Sequence, residues 1–355
     1  MYEAVQRGTG RHVAVKVVSE ETTLKTQERA AAALKNINRE MELMSTVKHP
    51  CCIQIYDRIT YYQTHCFVLE LAENDLFDYI RTNGPLREDV AQCLFVQMLS
   101  AIKYLHGLHI VHRDLKPENM LLVQDGDCLI VKVTDFGLAT IVDQNHLAQT
   151  LCGTPQYVSP EIVMNRKSST AHGYGSSVDM WSLGAVLYTM LSATTPFNDK
   201  DPHIYEHILR GAVQFPPDRW AHVSADAQGI VRGLMTVDVA QRLTSAQCMA
   251  RPWCRQGLQR LAHTASDTLK ALATEELAHA TAAAAAATAA AGAETLPAET
   301  SSTPLPPPLR EQVLPSTLKR DCSVMEDDDV GQTPPKRPHV GDPHAVPPAG
   351  PTFGL

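Results

Sequence analysis

The chain offers little to bind zinc, cross a membrane or attract nucleic acid. Its nine cysteines form no Cys-x-x-Cys pair and have no histidine partners at metal spacing, which argues against a zinc site. No signal peptide precedes them and no apolar run is long enough to span a bilayer, so reduced thiols in an intracellular protein are expected. Basic excess is lacking too. Thirty-one Lys and Arg stand against 39 Asp and Glu, a net charge of −8, which gives no reason to expect direct nucleic-acid binding. No internal repeat is visible. What is present is 44 % apolar residues over 355 positions, enough for the core of one large domain or two modest ones.

The composition is uneven. Up to about residue 254 apolar, charged and aromatic residues mix as in a folded domain. From Gln256 the character changes: an Ala/Thr tract covers Ala280 to Ala291, and Pro-rich, Ser/Thr-rich sequence runs on to Leu355. The Ala tract has helical propensity but no distinct apolar face. The Pro-rich remainder cannot bury enough surface to offset ordering entropy. Residues 255–355 are therefore expected to form a largely disordered tail.

Within the first part the periodicity changes once. His12 to Val18 (HVAVKVV) reads as a strand, and Leu34, Ile37, Met41 and Met44 recur at helical spacing. Cys52 to Asp57 and His65 to Leu71 read as strands, with Arg58 to Thr64 turning between them. Beyond Glu73 the pattern becomes helical. Glu88 to His106 carries a broad apolar face, Leu129 to Thr134 is a short strand, and Val178 to Ser192 is apolar nearly all round. An α+β fold follows, with a small β-rich lobe over residues 1–72 and a larger helical lobe over 73–254. A cleft between two such lobes is a natural ligand site.

The chemistry concentrates in two strings. His112 to Asn119 (HRDLKPEN) puts a carboxylate, Asp114, an ammonium, Lys116, and an amide oxygen, Asn119, on one short loop. Asp135-Phe136-Gly137 supplies a second carboxylate. Phosphoryl transfer needs an oriented hydroxyl, metal ions on the phosphates and cations where charge spreads in the transition state. These residues supply the catalytic-loop part of that set. Ser159-Pro160-Glu161 and Asp179 to Gly184 (DMWSLG) follow in order. With them, residues 1 to about 254 resemble the eukaryotic protein kinases of the Ser/Thr type.

That resemblance implies roles residue by residue. Asp114 orients the substrate hydroxyl and accepts its proton, and Lys116 sits near the transferred phosphate. Asn119 and Asp135 present the hard oxygens that Mg2+ prefers. Lys16 holds the α- and β-phosphates of ATP and pairs with Glu40; a lone strand Lys or helix Glu is ordinarily surface, and the order of motifs raises both. Ala14 and Leu121 sandwich the adenine, Leu69 lies behind it, and the backbone of Glu70 and Ala72 meets the base edge. Asp179 braces the catalytic loop, Glu161 pairs with Arg242, and Met44, Ile55, His112 and Phe136 stack between the lobes. Arg113 suits a phosphate bidentately. Phosphorylated Thr150 is expected to order the activation segment through it, after an upstream kinase or trans-autophosphorylation, while Thr154 contacts Asp114 and Lys116.

Longer strings narrow the resemblance to the calcium/calmodulin-dependent-kinase-like group and, within it, the checkpoint kinase 2 type. They are His49 to Asp57, Asp127 to Gly137, Gln149 to Val163 and Phe215 to Ala227. This implies a DNA-damage effector kinase acting on protein Ser/Thr with Arg three residues before the acceptor. Asp75 and Glu118 are the acidic residues that would read this Arg, although ENDLFD is one residue shorter than the usual EGGELFD. Pro334 to Pro338 (PPKRP) is a weak basic patch. A nuclear signal and a chance Lys-Arg pair account for it equally, leaving nucleus or cytoplasm as the expected location.

One family part is missing. The glycine-rich loop that covers the ATP phosphates, and the strand before it, should precede the segment matching Tyr2 to Lys16. Two readings stay open: an enzyme whose recorded start lies too far downstream, and a short product acting as a non-catalytic scaffold. Intact Lys16, Asp114, Asn119 and Asp135 favour the enzyme. A calmodulin-regulated kinase is a third reading; it would need a basic amphipathic helix after the domain, and Arg255 to Leu272 has leucines but few bases.

Overall fold

The computed structural model describes residues 1–19, 42–62, 64–126, 128–136, 140–141, 154–165 and 175–293. The expected helix around Leu34 and Ile37, Glu40, Gly137 and Thr150 lie outside these residues.

The β-rich start folds into a four-stranded antiparallel sheet in the order β1 (Tyr2–Val5), β2 (His12–Ser19), β4 (Thr64–Glu70), β3 (Ile55–Tyr61). Strand β4 follows the period of two that a half-buried strand requires, with His65, Phe67 and Leu69 inward. The β2–β4 register sets Ala14 opposite Leu69 and Lys16 opposite Phe67. A short helix, α1, over residues 42–46 buries Leu43 and Met44.

The β3–β4 hairpin differs from the expectation. Cys52 does not open the strand; it forms an isolated parallel bridge to Val133, and β3 begins at Ile55. Arg58 to Tyr61, expected in the turn, pair in register with Thr64 to Phe67. The β-branched and aromatic residues of this run gain more from the ladder than from a loop. The chain reverses at Tyr62, whose φ of 49° lies in the left-handed region.

After Glu70 an extended connection leads to β5 (Asn74–Asp75) and α2 (Leu76–Asn83), capped by the Asp75 side chain. The helical lobe is built round α3 (Glu88–Gly107) and α5 (Ser177–Ser192). Helix α5 is buried on every side, as its all-round apolar sequence requires. Strands β7 (Met120–Asp125) and β8 (Cys128–Val133) join β5 in a small sheet, and β6 (Ile110–Val111) pairs with β9 (Thr140–Ile141). Helix α4 (Pro160–Asn165) precedes α5, and after it come α6 (Ile204–Arg210), α7 (Pro217–Trp220), α8 (Ala225–Leu234), α9 (Ser245–Met249) and α10 (Pro252–Thr264). At Gly257 of α10 a Cβ would come within 2.9 Å of the Gln92 carbonyl oxygen on α3, so only glycine lets these helices approach so closely.

Packed structure does not stop at residue 254. Helix α10 continues to Thr264, and α11 (Asp267–Ala293) follows it. Leu258, Leu261, Ala265, Leu269, Ala273 and Ala280 are all buried. The expectation of a disordered tail from residue 255 fails for this stretch. Leucines and small alanines at helical spacing make a narrow stripe that packs closely, although polar and small residues surround it on the helix. Residues 294–355 lie outside the described part. Among the described residues no helix is long and apolar enough to cross a membrane.

Candidate active site

The loop from His112 to Asn119 leaves β6 and ends in a 3-10 turn, Pro117–Asn119, that feeds β7. Its shape is set from α5. Asp179, 1 % exposed, accepts the backbone N–H of His112 at 2.9 Å and of Arg113 at 2.8 Å. His106, at the end of α3, donates its Nε2–H to the same carboxylate at 2.8 Å. Burial works against the charged carboxylate. His106, His112 and the Arg113 amide outweigh it and hold Asp179 below the ordinary aspartate range.

These bonds sustain a strained backbone. Arg113 has φ 68° and Asp135 φ 64°, a region that costs a non-glycine residue roughly 1–2 kcal/mol. Both residues belong to the two motifs. The loop and the Asp135 strand are also tied directly: His112 donates Nε2–H to the Thr134 carbonyl at 2.9 Å, and the Thr134 amide donates to the Asn119 carbonyl at 3.0 Å. The His112 and Phe136 rings meet tilted at 54°, with centroids 5.4 Å apart.

On this frame Asp114, Lys116 and Asn119 converge. Lys116 Nζ lies 2.8 Å from Asp114 Oδ2, and Asn119 Nδ2 donates to the same oxygen at 3.1 Å and to the Asp114 carbonyl at 2.8 Å. One carboxylate oxygen is thus fixed by two donors, which leaves Oδ1 to accept a hydroxyl proton. Asn119 commits its side-chain nitrogen to Asp114, so its side-chain oxygen, Oδ1, is the atom left for a hard cation. The donor set fits Mg2+ in this respect.

The residues expected to meet the nucleotide lie on β2, β4 and β7. Ala14 and Leu69 are cross-strand partners, Leu69 is buried, and Leu121 is half-buried on β7. Lys16 is half-buried on β2; with Glu40 outside the described residues, their pair is not defined. Ala72 sits half-buried in the connection after β4. The Glu70 amide is already taken by the Gln54 carbonyl at 2.9 Å, and the Glu70 carboxylate by Lys132 at 2.8 Å. A base edge would therefore meet other backbone atoms of Glu70 and Ala72.

The residues expected to serve regulation and substrate reading divide. Thr154 is half-buried at the start of the turn Pro155–Tyr157. Among the described residues no hydrogen bond joins it to Asp114 or Lys116. Asp75 caps α2 by accepting the Asp78 amide at 2.7 Å, which gives it a structural duty the sequence reading missed. Glu118 is different: its Oε2 is buried and has no hydrogen-bond partner among the described residues. A buried acceptor left open costs on the order of 1–3 kcal/mol, and an incoming cation would relieve it. Glu161 and Arg242 pair as expected, bidentately at 2.6 and 3.0 Å, with Arg242 stacked over Trp181. The contribution of His106 has no motif to announce it.

A small sheet, a helical lobe and this loop between them make the bilobal protein-kinase fold. The chain belongs to the protein kinase domain family, which matches residues 1–254. Similar proteins include the probable serine/threonine-protein kinase fhkA of Dictyostelium discoideum, 38 % identical over 281 residues that cover 71 % of this chain and 47 % of that protein. Myosin light chain kinase A of the same organism is 36 % identical over 257 residues, 72 % of this chain and 83 % of its own length. The serine/threonine-protein kinase RAD53 of Saccharomyces cerevisiae is 32 % identical over 262 residues, 71 % of this chain and 31 % of that protein. The chain thus spans under half of fhkA and about a third of RAD53.

Proposed function

We propose that this chain is a serine/threonine kinase that moves the γ-phosphate of ATP to protein hydroxyls. The observation that carries the reading is the Asp114 carboxylate, held on one oxygen by Lys116 and Asn119 and with no hydrogen bond to the other among the described residues. Asp114 orients the hydroxyl and takes its proton, while Lys116 meets charge on the transferred group. Asn119 and Asp135 would hold Mg2+, which when bound neutralises phosphate charge. Lys16 binds the phosphates, and Ala14, Leu69 and Leu121 line the adenine pocket. Residues 1–72 and 73–254 serve as its two lobes.

The finer reading is a DNA-damage checkpoint kinase of the nucleus. The four strings between His49 and Ala227 support it, as does the similarity to RAD53. Glu118, with its open buried oxygen, suits a substrate Arg better than the capping Asp75 does. The calmodulin-regulated kinase stays as an alternative, weakened only by the few bases between Arg255 and Leu272. A single assay tests the function: transfer from Mg·ATP to a Ser peptide with and without Arg three residues before the acceptor. Transfer that favours the Arg peptide and needs Asp114 is expected. Mg·ATP binding without transfer would favour the scaffold reading instead. Regulation through Thr150 and Arg113 predicts that Thr150→Ala lowers activity on this peptide; full activity of Thr150→Ala would refute it.

A further inference from the structure

Helix α11 lies beyond the residues that match the kinase family, yet it carries one feature a passive appendage would not. Leu269, Ala273, Glu276 and Ala280 form its buried stripe. Three of them are apolar; Glu276 is a carboxylate only 8 % exposed. A charge there is tolerated only if it is paired and hydrogen-bonded. Two residues of α3 do this. Lys103 Nζ lies 2.7 Å from Oε2, and Ser100 Oγ donates to Oε1 at 3.1 Å.

The proton inventory then fixes the direction of everything behind it. Ser100 has one O–H, and the carboxylate, which can only accept, takes it. The His49 Nε2 found 3.3 Å from Ser100 Oγ must therefore be the donor. His49 Nδ1 is left as acceptor, and it receives the Cys51 amide at 3.1 Å. Burial lowers the His49 pKa to about 4 against the pull of Glu276, in keeping with a neutral ring. The chain of hydrogen bonds runs one way, from Cys51 N–H through His49 and Ser100 to Glu276. Beyond it, the Cys51 carbonyl accepts the Val133 amide at 2.9 Å, and the Ile53 amide donates to the Val133 carbonyl at 2.9 Å. Gln97 of α3 binds the Leu129 carbonyl and the Val131 amide on the same strand. Strand β8 then leads in two residues to Asp135.

We propose that α11 is an integral clasp of the kinase: Glu276 is a positioning residue that fixes the His49–Ile53 turn, and through it β8 and Asp135. The part played by Asp135 rests on the kinase reading; the clasp itself does not.

The test uses the full chain with Glu276→Ala, Ser100→Ala and, as a control on the exposed face of α11, Glu275→Ala. Ser100→Ala is the sharper variant, because Lys103 still holds Glu276 and α11 stays docked. Amide hydrogen exchange across residues 49–53 and 131–133 is measured, with kcat and the KM for Mg·ATP beside it. Both inner variants are expected to speed exchange in these segments about tenfold or more, matching the loss of a buried hydrogen bond. They should lower kcat or raise the KM for Mg·ATP while peptide KM stays put; Glu275→Ala should change nothing. Exchange changes confined to α11, or equal in the control, would overturn the clasp. Should Glu276→Ala fail to fold, Ser100→Ala decides alone. Faster exchange in a chain that never transfers phosphate would support the clasp and count against the kinase reading.

Discussion

Two nearly buried carboxylates organise this molecule, and they do so from opposite sides of the family boundary. Asp179, on α5, collects His106 and the amides of His112 and Arg113. Glu276, on α11, collects Ser100 and Lys103. Each converts a costly buried charge into a geometric constraint, because a carboxylate in a low dielectric accepts bonds that water would otherwise blur. The difference lies in what each constrains. Asp179 holds strained backbone within the His112–Asn119 loop itself, whereas Glu276 acts through side chains on a turn that only leads, by way of β8, to Asp135. The first should therefore matter more for chemistry, and the second for how stiffly the parts are joined.

The largest effect should come from the first. Asp179→Asn offers one acceptor where three donors converge and turns an N–H2 toward them. Phosphoryl transfer should fall by roughly 10²-fold or more, the scale on which misplacing a reacting group by about 1 Å acts. Activity within a few-fold of wild type would break the comparison. Next comes an ion pair remote from the chemistry. Arg242→Met leaves Glu161 uncompensated and should lower unfolding stability by about 3–5 kcal/mol, read from urea midpoints. A shift under about 1 kcal/mol, the scale of a surface pair, would show that the pair is not effectively buried.

Acid separates the two clusters more finely. His49 is neutral in the folded protein, with its pKa lowered from 6.5 to about 4, so the unfolded chain protonates first as pH falls. The stability this gives is full above about pH 6.5 and is lost down to about pH 4. Asp179 has its folded pKa lowered below the ordinary 3.8; its contribution is present above that value and fades only at lower pH. The urea midpoint of the wild-type chain should fall between those two His49 values, and that of His49→Asn should fall less. Equal falls would remove His49 from the account.

The sequence made the first cluster legible and hid the second, for physical reasons. HRDLKPEN, DFG and DMWSLG are short-range strings whose spacing encodes one chemistry, so Asp179 could be set against the His112–Asn119 loop, whereas His106 beside it and the bonds from Lys116 and Asn119 to Asp114 emerged only from the fold. The period of α3 and the all-round apolar run of α5 announced the helical core. The β3–β4 turn was misplaced because Arg58 to Tyr61 carry both polar and β-forming residues, and only the register with β4 decides between them. Asp75 could not be recognised as a cap without knowing where α2 starts. Glu276 pairs with residues some 175 positions away in sequence, inside an Ala-rich stretch that looks featureless. No local pattern marks a single buried charge whose partners come from another helix.

Phosphate transfer remains the most direct measurement. Labelled γ-phosphate from Mg·ATP is offered to a Ser peptide with Arg three residues before the acceptor, with this chain and with Asp114→Asn. Label on the serine, reduced by about 10²–10⁴-fold in the variant with nucleotide affinity and urea midpoint unchanged, is the predicted result. Equal rates in the two chains, or Mg·ATP bound by both without any transfer, would contradict it.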